Sequence, residues 1–390
     1  MSRFLFAVPP LAGHVNPTIA VGQELAGRGH AVAWVGHPGV VGALLPAGCD
    51  LFAAGESMPA AHLDQMHARW RGLQGWAALK ALWEEVLLPV GDAMVGGVEA
   101  AVSSFQPDVL VADQQALAGA VVARRRGMAW ATSATTFSEL TRPYAGMPKV
   151  EDWVRDLVIA FAERHGLTGA DARRSDLRFS DALVLVYATQ ELAGPVEVAC
   201  TPAFVGPAIG PRPSDAGFAW EWLDGRPRVL VTLGTQNGDA GARFFGVVAH
   251  VAAARPGVQF VLSAPPSARP EGLPANVLVC GRIPQLALLT EIDAVVCHGG
   301  YNTVAEALAA GRPVVVAPIR DDQPLIADRV VANGAGLRVS FRRARAEQLG
   351  TAVDAVLDDS SFREAAARLA ASFALAGGAR AAADRLEKLA

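Results

Sequence analysis

Two turns and one histidine carry most of the chemistry legible in the 390-residue chain. In Val295-Val296-Cys297-His298-Gly299-Gly300-Tyr301-Asn302-Thr303-Val304-Ala305-Glu306 an apolar strand stops at a small-residue turn and a helix starts at once. Paired glycines let a backbone approach a ligand closely, and a helix amino terminus offers N–H groups and the positive end of a dipole to an anion. The segment reads as a phosphate seat. His298 and Asn302 add side-chain donors, and Glu306, four residues after Asn302 on the same helical face, suits a ribose diol. The same letters allow a purely structural reading, because Thr303-x-x-Glu306 is also a capping box. A second turn, Gly234-Thr235-Gln236-Asn237-Gly238, follows the apolar run 229–233 and would close on the same diphosphate unless it is an ordinary strand-to-helix loop. Neither turn fits GxGxxG or GxxxxGK followed by Ser or Thr, which weakens a dehydrogenase or P-loop reading.

The histidine is His14, in Pro10-Leu11-Ala12-Gly13-His14-Val15-Asn16-Pro17, just past the first apolar run. A neutral imidazole accepts a proton from an alcohol near pH 7, and a strand-to-helix loop would aim it into a cleft. Asp113 ends the run 109–112 in the same half, so it too is expected at the carboxyl edge of a sheet, where a carboxylate orients an imidazole and stabilises its cation. Asp108 precedes that run and reads as structural. The other histidines show no metal-ligand spacing. Met58, Met66, Trp70, Trp76, Trp83 and Met94, then Phe137, Tyr144, Met147, Trp153 and Phe161, gather the adaptable and flat side chains that suit a large hydrophobic acceptor. Trp76 and Trp83, seven apart, would share a helical face, which ordinary core packing explains equally well.

These residues need scaffolds, and the patterning supplies two. Strand-length apolar runs at 4–8, 31–35, 109–112 and 129–133 alternate with helical segments at 17–28 and 117–126, a βαβ rhythm that implies a parallel sheet covered by helices. The rhythm lapses in a Pro- and Gly-rich stretch and resumes at 229–233, 260–262, 277–279, 294–297 and 314–316. We therefore expect an α/β protein with two doubly wound parallel-sheet domains, 1–204 and 228–390, joined by a linker at 205–227. Helices are expected at 346–357 and from 362 onward, the last packing back on the first domain. Ligands of such sheets sit beyond the carboxyl ends of the strands, so the function is expected in a cleft between the domains.

Composition narrows the class. Apolar residues make up 52% and charged residues 18%, which excludes disorder, and a net charge of −4 offers no broad basic surface for nucleic acid. Cys49, Cys200, Cys280 and Cys297 form no CxxC pair, arguing for a reducing, cytoplasmic setting without disulfides or a thiolate metal site. Pro38 and Pro46 interrupt the long uncharged stretch 31–49, so no integral membrane segment is expected there.

At the phosphate seat the chain resembles the nucleotide-sugar-dependent family 1 glycosyltransferases, and among them the bacterial enzymes that decorate polyketides and related natural products. Pro284-Gln285, His298-Gly299-Gly300, Glu306, Gly311-Arg312-Pro313 and Asp322-Gln323 follow the family signature in order, and Gly13-His14-x-x-Pro17 and Arg28-Gly29-His30 are typical of its amino-terminal half. The resemblance implies a GT-B fold, with acceptor on the first domain and donor on the second. It implies that His298, Gly299, Gly300, Asn302 and Thr303, with Gly234 and Thr235 opposite, hold the diphosphate. Glu306 would hold the ribose, Gln285 would belong to the donor site, Arg282 and Ile283 would line the base, and Asp322 and Gln323 would bind sugar hydroxyls. His14 and Asp113 become the catalytic pair, and Met58, Met66, Trp76, Trp83 and Phe137 the acceptor contacts. The reaction implied is inverting transfer of a hexose or deoxyhexose from a TDP- or UDP-sugar to a hydroxyl of a hydrophobic aglycone. No cofactor and no metal are expected, because helix dipole and side-chain donors would take the place of a divalent cation; Asp321-Asp322 mimics a metal pair but is not read as one. Arg282 stands where plant relatives carry a stacking Trp, which leaves thymine and uracil both open. The expected partners are the donor and the aglycone, with homodimerisation left open. Two rival readings are a nucleotide-sugar 2-epimerase, which shares the two-sheet layout, and an inactive nucleotide-binding partner protein.

Overall fold

The computed structural model describes residues 1–197, 202–211, 217–234 and 241–390. The chain divides into two compact units. Met1–Thr189, Pro195–Pro211 and Ala376–Ala390 form the first, and Gln190–Gly194 with Arg212–Leu375 form the second. Of the stretch expected as a linker, the part through Pro211 thus belongs to the first unit and the part from Arg212 to the second.

Among the described residues the first unit is built on seven strands: β1 (Arg3–Ala7), β2 (Ala31–Gly36), β3 (Asp50–Ala53), β4 (Val109–Asp113), β5 (Trp130–Ala134), β6 (Val184–Val186) and β7 (Ala203–Phe204). Every pairing is parallel, in the order β3-β2-β1-β4-β5-β6-β7. Side chains alternate between two covered faces, which is why the strands read as unbroken apolar runs. Leu5, Ala7, Leu110 and Ala112 join one core, and Phe4, Phe6, Val109 and Val111 the other. Asp108 ties the start of β1 in place: its Oδ2 accepts from the Arg3 N–H at 2.8 Å.

Two helical expectations change. The first helix runs Ala12–Gly27 rather than starting at Pro17, so His14 lies in its first turn and not in a loop. Pro9 and Pro10 end the strand and Leu11 turns the chain, leaving no length for a loop, and Pro17 so near the helix start costs a single hydrogen bond. The carboxy-terminal helix expected from residue 362 is two helices, Ser360–Ala376 and Gly378–Glu387, because Gly377 and Gly378 take left-handed backbone (φ 89° and 56°) that other residues rarely adopt. Ala382, Ala383 and Leu386 of the last helix are fully buried in the first unit's core. Arg28 donates to Asp384 at 2.7 Å and to Glu387 at 2.8 Å, and His30 Nε2 donates to Glu387 at 2.8 Å while its Nδ1 accepts from the Ser2 N–H. The Arg28-Gly29-His30 motif therefore fastens the chain's last helix.

The helical span Gly75–Phe105 is long and apolar enough by composition to cross a membrane. Trp83, Val86, Leu87, Met94, Val98 and Val102 are buried, and all but Val86 lie in the first unit's main core, which accounts for its apolarity. A π-helical turn at Leu82–Leu87 interrupts it just before Pro89, whose missing N–H cannot close the regular ladder.

The second unit holds β8 (Arg228–Thr232), β9 (Gln259–Ser263), β10 (Val277–Cys280), β11 (Ala294–Cys297), β12 (Val314–Val316) and β13 (Gly336–Arg338). They form an all-parallel sheet in the order β10-β9-β8-β11-β12-β13. Each sheet thus reverses its winding direction once, between β1 and β4 in the first unit and between β8 and β11 in the second. Such switch points open a crevice at the carboxyl ends of the strands.

Candidate active site

Both groups of chemical residues lie at these switch points. In the first unit, His14 follows β1 and Asp113 ends β4. The imidazole Nδ1 is 2.9 Å from Asp113 Oδ1 and 3.0 Å from Oδ2. A carboxylate only accepts, so Nδ1 carries a proton, and in the neutral imidazole the lone pair is then on Nε2. The Asp113 side chain is fully buried and that of His14 is 15% exposed. Asp113 also accepts from the Gln115 N–H at 2.8 Å and from the Thr135 hydroxyl at 3.0 Å. Thr135 Oγ1 lies 2.8 Å from His14 Nδ1 as well, so the dyad is a triad of contacts. The sequence reading did not single out Thr135. It stands one residue past β5, and β5 lies beside β4 in register Asp113↔Ser133, a pairing that patterning does not disclose.

In the second unit, β8 and β11 run side by side with Thr232 opposite Cys297, which brings the Gly234 turn to the His298-Gly299-Gly300 turn. A Cβ on Gly234 would lie 2.7 Å from His298 Cε1, and one on Gly300 would collide with His298 Nε2. The imidazole is sandwiched between two glycines that must be glycines. Gly299 has φ 89°, and a Cβ there would meet Val316 at 2.7 Å. His298 is buried, and burial, reinforced by the nearby Arg320, lowers its pKa to about 4. It is a neutral hydrogen-bonding group at pH 7. Thr235 lies outside the described residues.

The helix Tyr301–Ala309 starts at Gly300 and no side chain caps it. Thr303 is its third residue, so the capping box fails: Thr303 is not at the cap position that motif requires. Glu306 is 3% exposed, and its Oε2 accepts from Gln285 Nε2 at 2.6 Å. Arg282 and Ile283 lie in the turn between β10 and the helix Gln285–Glu291 at the same carboxyl edge, Arg282 exposed and Ile283 half-buried. Asp322 is the cap residue and Gln323 the first residue of the helix Gln323–Ala332. Gln323 Oε1 accepts from the N–H groups of Ile319 and Arg320 at 2.9 and 3.1 Å, which fixes the amide orientation and spends its oxygen on the loop. Only the amide N–H groups of Gln323 remain to serve a ligand, a narrower part than the resemblance implies.

The aromatic and sulfur set divides. Trp83 and Phe137 are 3% and 1% exposed, so packing claims them, and the Arg178 guanidinium sits 5.6 Å from the Trp83 ring centroid. Trp76 is 51% exposed, 4.8 Å from the Trp153 ring, so the two tryptophans expected on one face differ in environment. Met58 and Met66 are half-buried against the first unit's core.

Comparison with known proteins identifies the family and the fold. The family model described as "Erythromycin biosynthesis protein CIII-like, C-terminal domain" matches residues 251–389. The whole chain is 33% identical to 4'-demethylrebeccamycin synthase of Lentzea aerocolonigenes, covering 99% of that protein. The chain belongs to the GT-B, nucleotide-sugar-dependent glycosyltransferases of natural-product pathways. It is also 29% identical to demethyllactenocin mycarosyltransferase of Streptomyces fradiae, all of this chain aligning with 87% of that one. The crystal structure of the kitacinnamycin glycosyltransferase superposes with a TM-score of 0.81 at 26% identity, over 100% of this chain and 99% of that one. The fold class expected for this glycosyltransferase, two parallel-sheet α/β domains of GT-B type, is the one observed.

Proposed function

We propose that this glycosyltransferase moves a hexose or deoxyhexose from a TDP- or UDP-sugar to a hydroxyl of a hydrophobic aglycone, with inversion and without a metal. The hydrogen bond from His14 Nδ1 to Asp113 carries the reading, because it leaves Nε2 as a base. Nε2 takes the acceptor proton as the oxygen attacks the anomeric carbon; the bond to the diphosphate breaks on the opposite face and its electron pair leaves with the nucleoside diphosphate. Asp113 stabilises the imidazolium. The diphosphate is a good leaving group, so no second carboxylic acid is required, unlike in a glycoside hydrolase.

The helix start at Gly300, neutral His298, Asn302, Thr303, Gly234 and Thr235 serve the leaving diphosphate through dipole and hydrogen bonds. Glu306, held by Gln285, accepts from the ribose, and Arg282 and Ile283 flank the base. Asp322 and the Gln323 amide meet sugar hydroxyls. Met58, Met66 and Trp76 meet the aglycone. Incubation with dTDP- and UDP-sugars and a panel of polyketide aglycones, followed by mass spectrometry, tests this. New glycosides of inverted anomeric configuration, formed in excess EDTA, are expected. Nucleotide binding without transfer to any aglycone would overturn it.

A further inference from the structure

A second, half-buried carboxylate lies beside the dyad, and the mechanism above does not use it. Glu139 sits in the single helical turn Ser138–Thr141 that follows β5. Its Oε2 accepts from Arg178 Nη1 at 2.8 Å, and its Oε1 faces Gln115 Nε2 at 3.4 Å. Gln115 is the residue whose backbone N–H holds Asp113 Oδ1 at 2.8 Å, so one residue touches both carboxylates. Arg178 donates onward to Asp176 at 2.6 Å, with its side chain 15% exposed and lodged against the Trp83 and Phe179 rings. A continuous chain of contacts therefore runs His14, Asp113, Gln115, Glu139, Arg178, Asp176. Burial pushes the Glu139 carboxyl above its ordinary range, and Arg178, Gln115, Asp176 and His14 are the groups that act on it.

A clamp for Arg178 alone would not need this carboxylate joined to the dyad, since Asp176 already pairs with that guanidinium. We infer that Glu139 is a positioning residue for the transfer reaction: its charge, anchored by Arg178 and linked to Asp113 through Gln115, stabilises the protonated state of His14. That is the state the base enters as it takes the acceptor proton, so Glu139 makes His14 a stronger base than Asp113 and Thr135 would alone. The inference rests on His14 being the base.

The test follows the His14 imidazole by NMR in the full-length protein with ¹³C-labelled histidine, the signal being assigned by its loss in His14→Gln. In Glu139→Gln the titration midpoint of His14 is expected to move to lower pH by about 0.5 or more, with an unchanged far-ultraviolet circular dichroism spectrum. Should the single variant fail to fold, Glu139→Gln/Arg178→Met removes both paired charges together and is expected to move the midpoint the same way, by less. A folded variant of either kind with an unmoved midpoint would overturn the inference. Transfer that survives in His14→Gln would instead remove the reading beneath it, and the two failures are told apart because the titration requires no substrate.

Discussion

At the scale of single residues, a few short hydrogen bonds decide what each polar group can do. Nδ1 of His14 is committed to Asp113 and Thr135, so the proposed base acts through Nε2. His14→Ala is expected to lower turnover about 10²- to 10⁴-fold while nucleotide affinity measured by calorimetry stays within about twofold. Thr135→Val removes a hydroxyl that steadies both partners; turnover should drop roughly tenfold, with Thr135→Ser restoring most of it. His298 gives a pH signature of its own. Its folded pKa of about 4 lies below the ordinary 6.5, so the unfolded chain binds the proton first and stability is lost as pH falls from 6.5 towards 4. The loss is on the order of 3 kcal/mol. Calorimetric melts between pH 4 and 7 should show a shallower pH dependence in His298→Asn; identical slopes would refute the assignment.

At the scale of elements, the helix Gly378–Glu387 shows how apolar and charged contacts differ in weight. Leu386 is fully buried, and Leu386→Ala is expected to destabilise the first unit by about 2–4 kcal/mol in thermal melts. Glu387 bonds Arg28 and His30 from a surface position, where solvent screens ion pairs, so Glu387→Gln should shift the melt far less. An equal effect of the two changes would contradict that ordering.

At the scale of the whole molecule, two sheets of similar winding each carry their chemistry at one reversal point. In the second unit we propose a seat for diphosphate at that point, and in the first a base. Hydrogen exchange with and without UDP or dTDP should therefore protect peptides covering 294–309 and 319–326 and leave 109–141 unchanged. Protection confined to the latter segment would reverse the assignment of donor to the second unit.

The sequence by itself determined the class of fold, most strands of both sheets, and the residues that form the His14–Asp113 contact and the glycine-flanked His298. It did so because buried parallel strands read as apolar runs and because glycine at a strand-to-helix turn has few substitutes. Tertiary structure alone decided that Thr135 joins the dyad, since that depends on β4 lying beside β5. It also withdrew Thr303 from the capping box, spent the Gln323 oxygen on its own loop, and turned Trp83 and Phe137 into core. Strand order and burial are set by packing between segments far apart in the chain, and no local pattern encodes them.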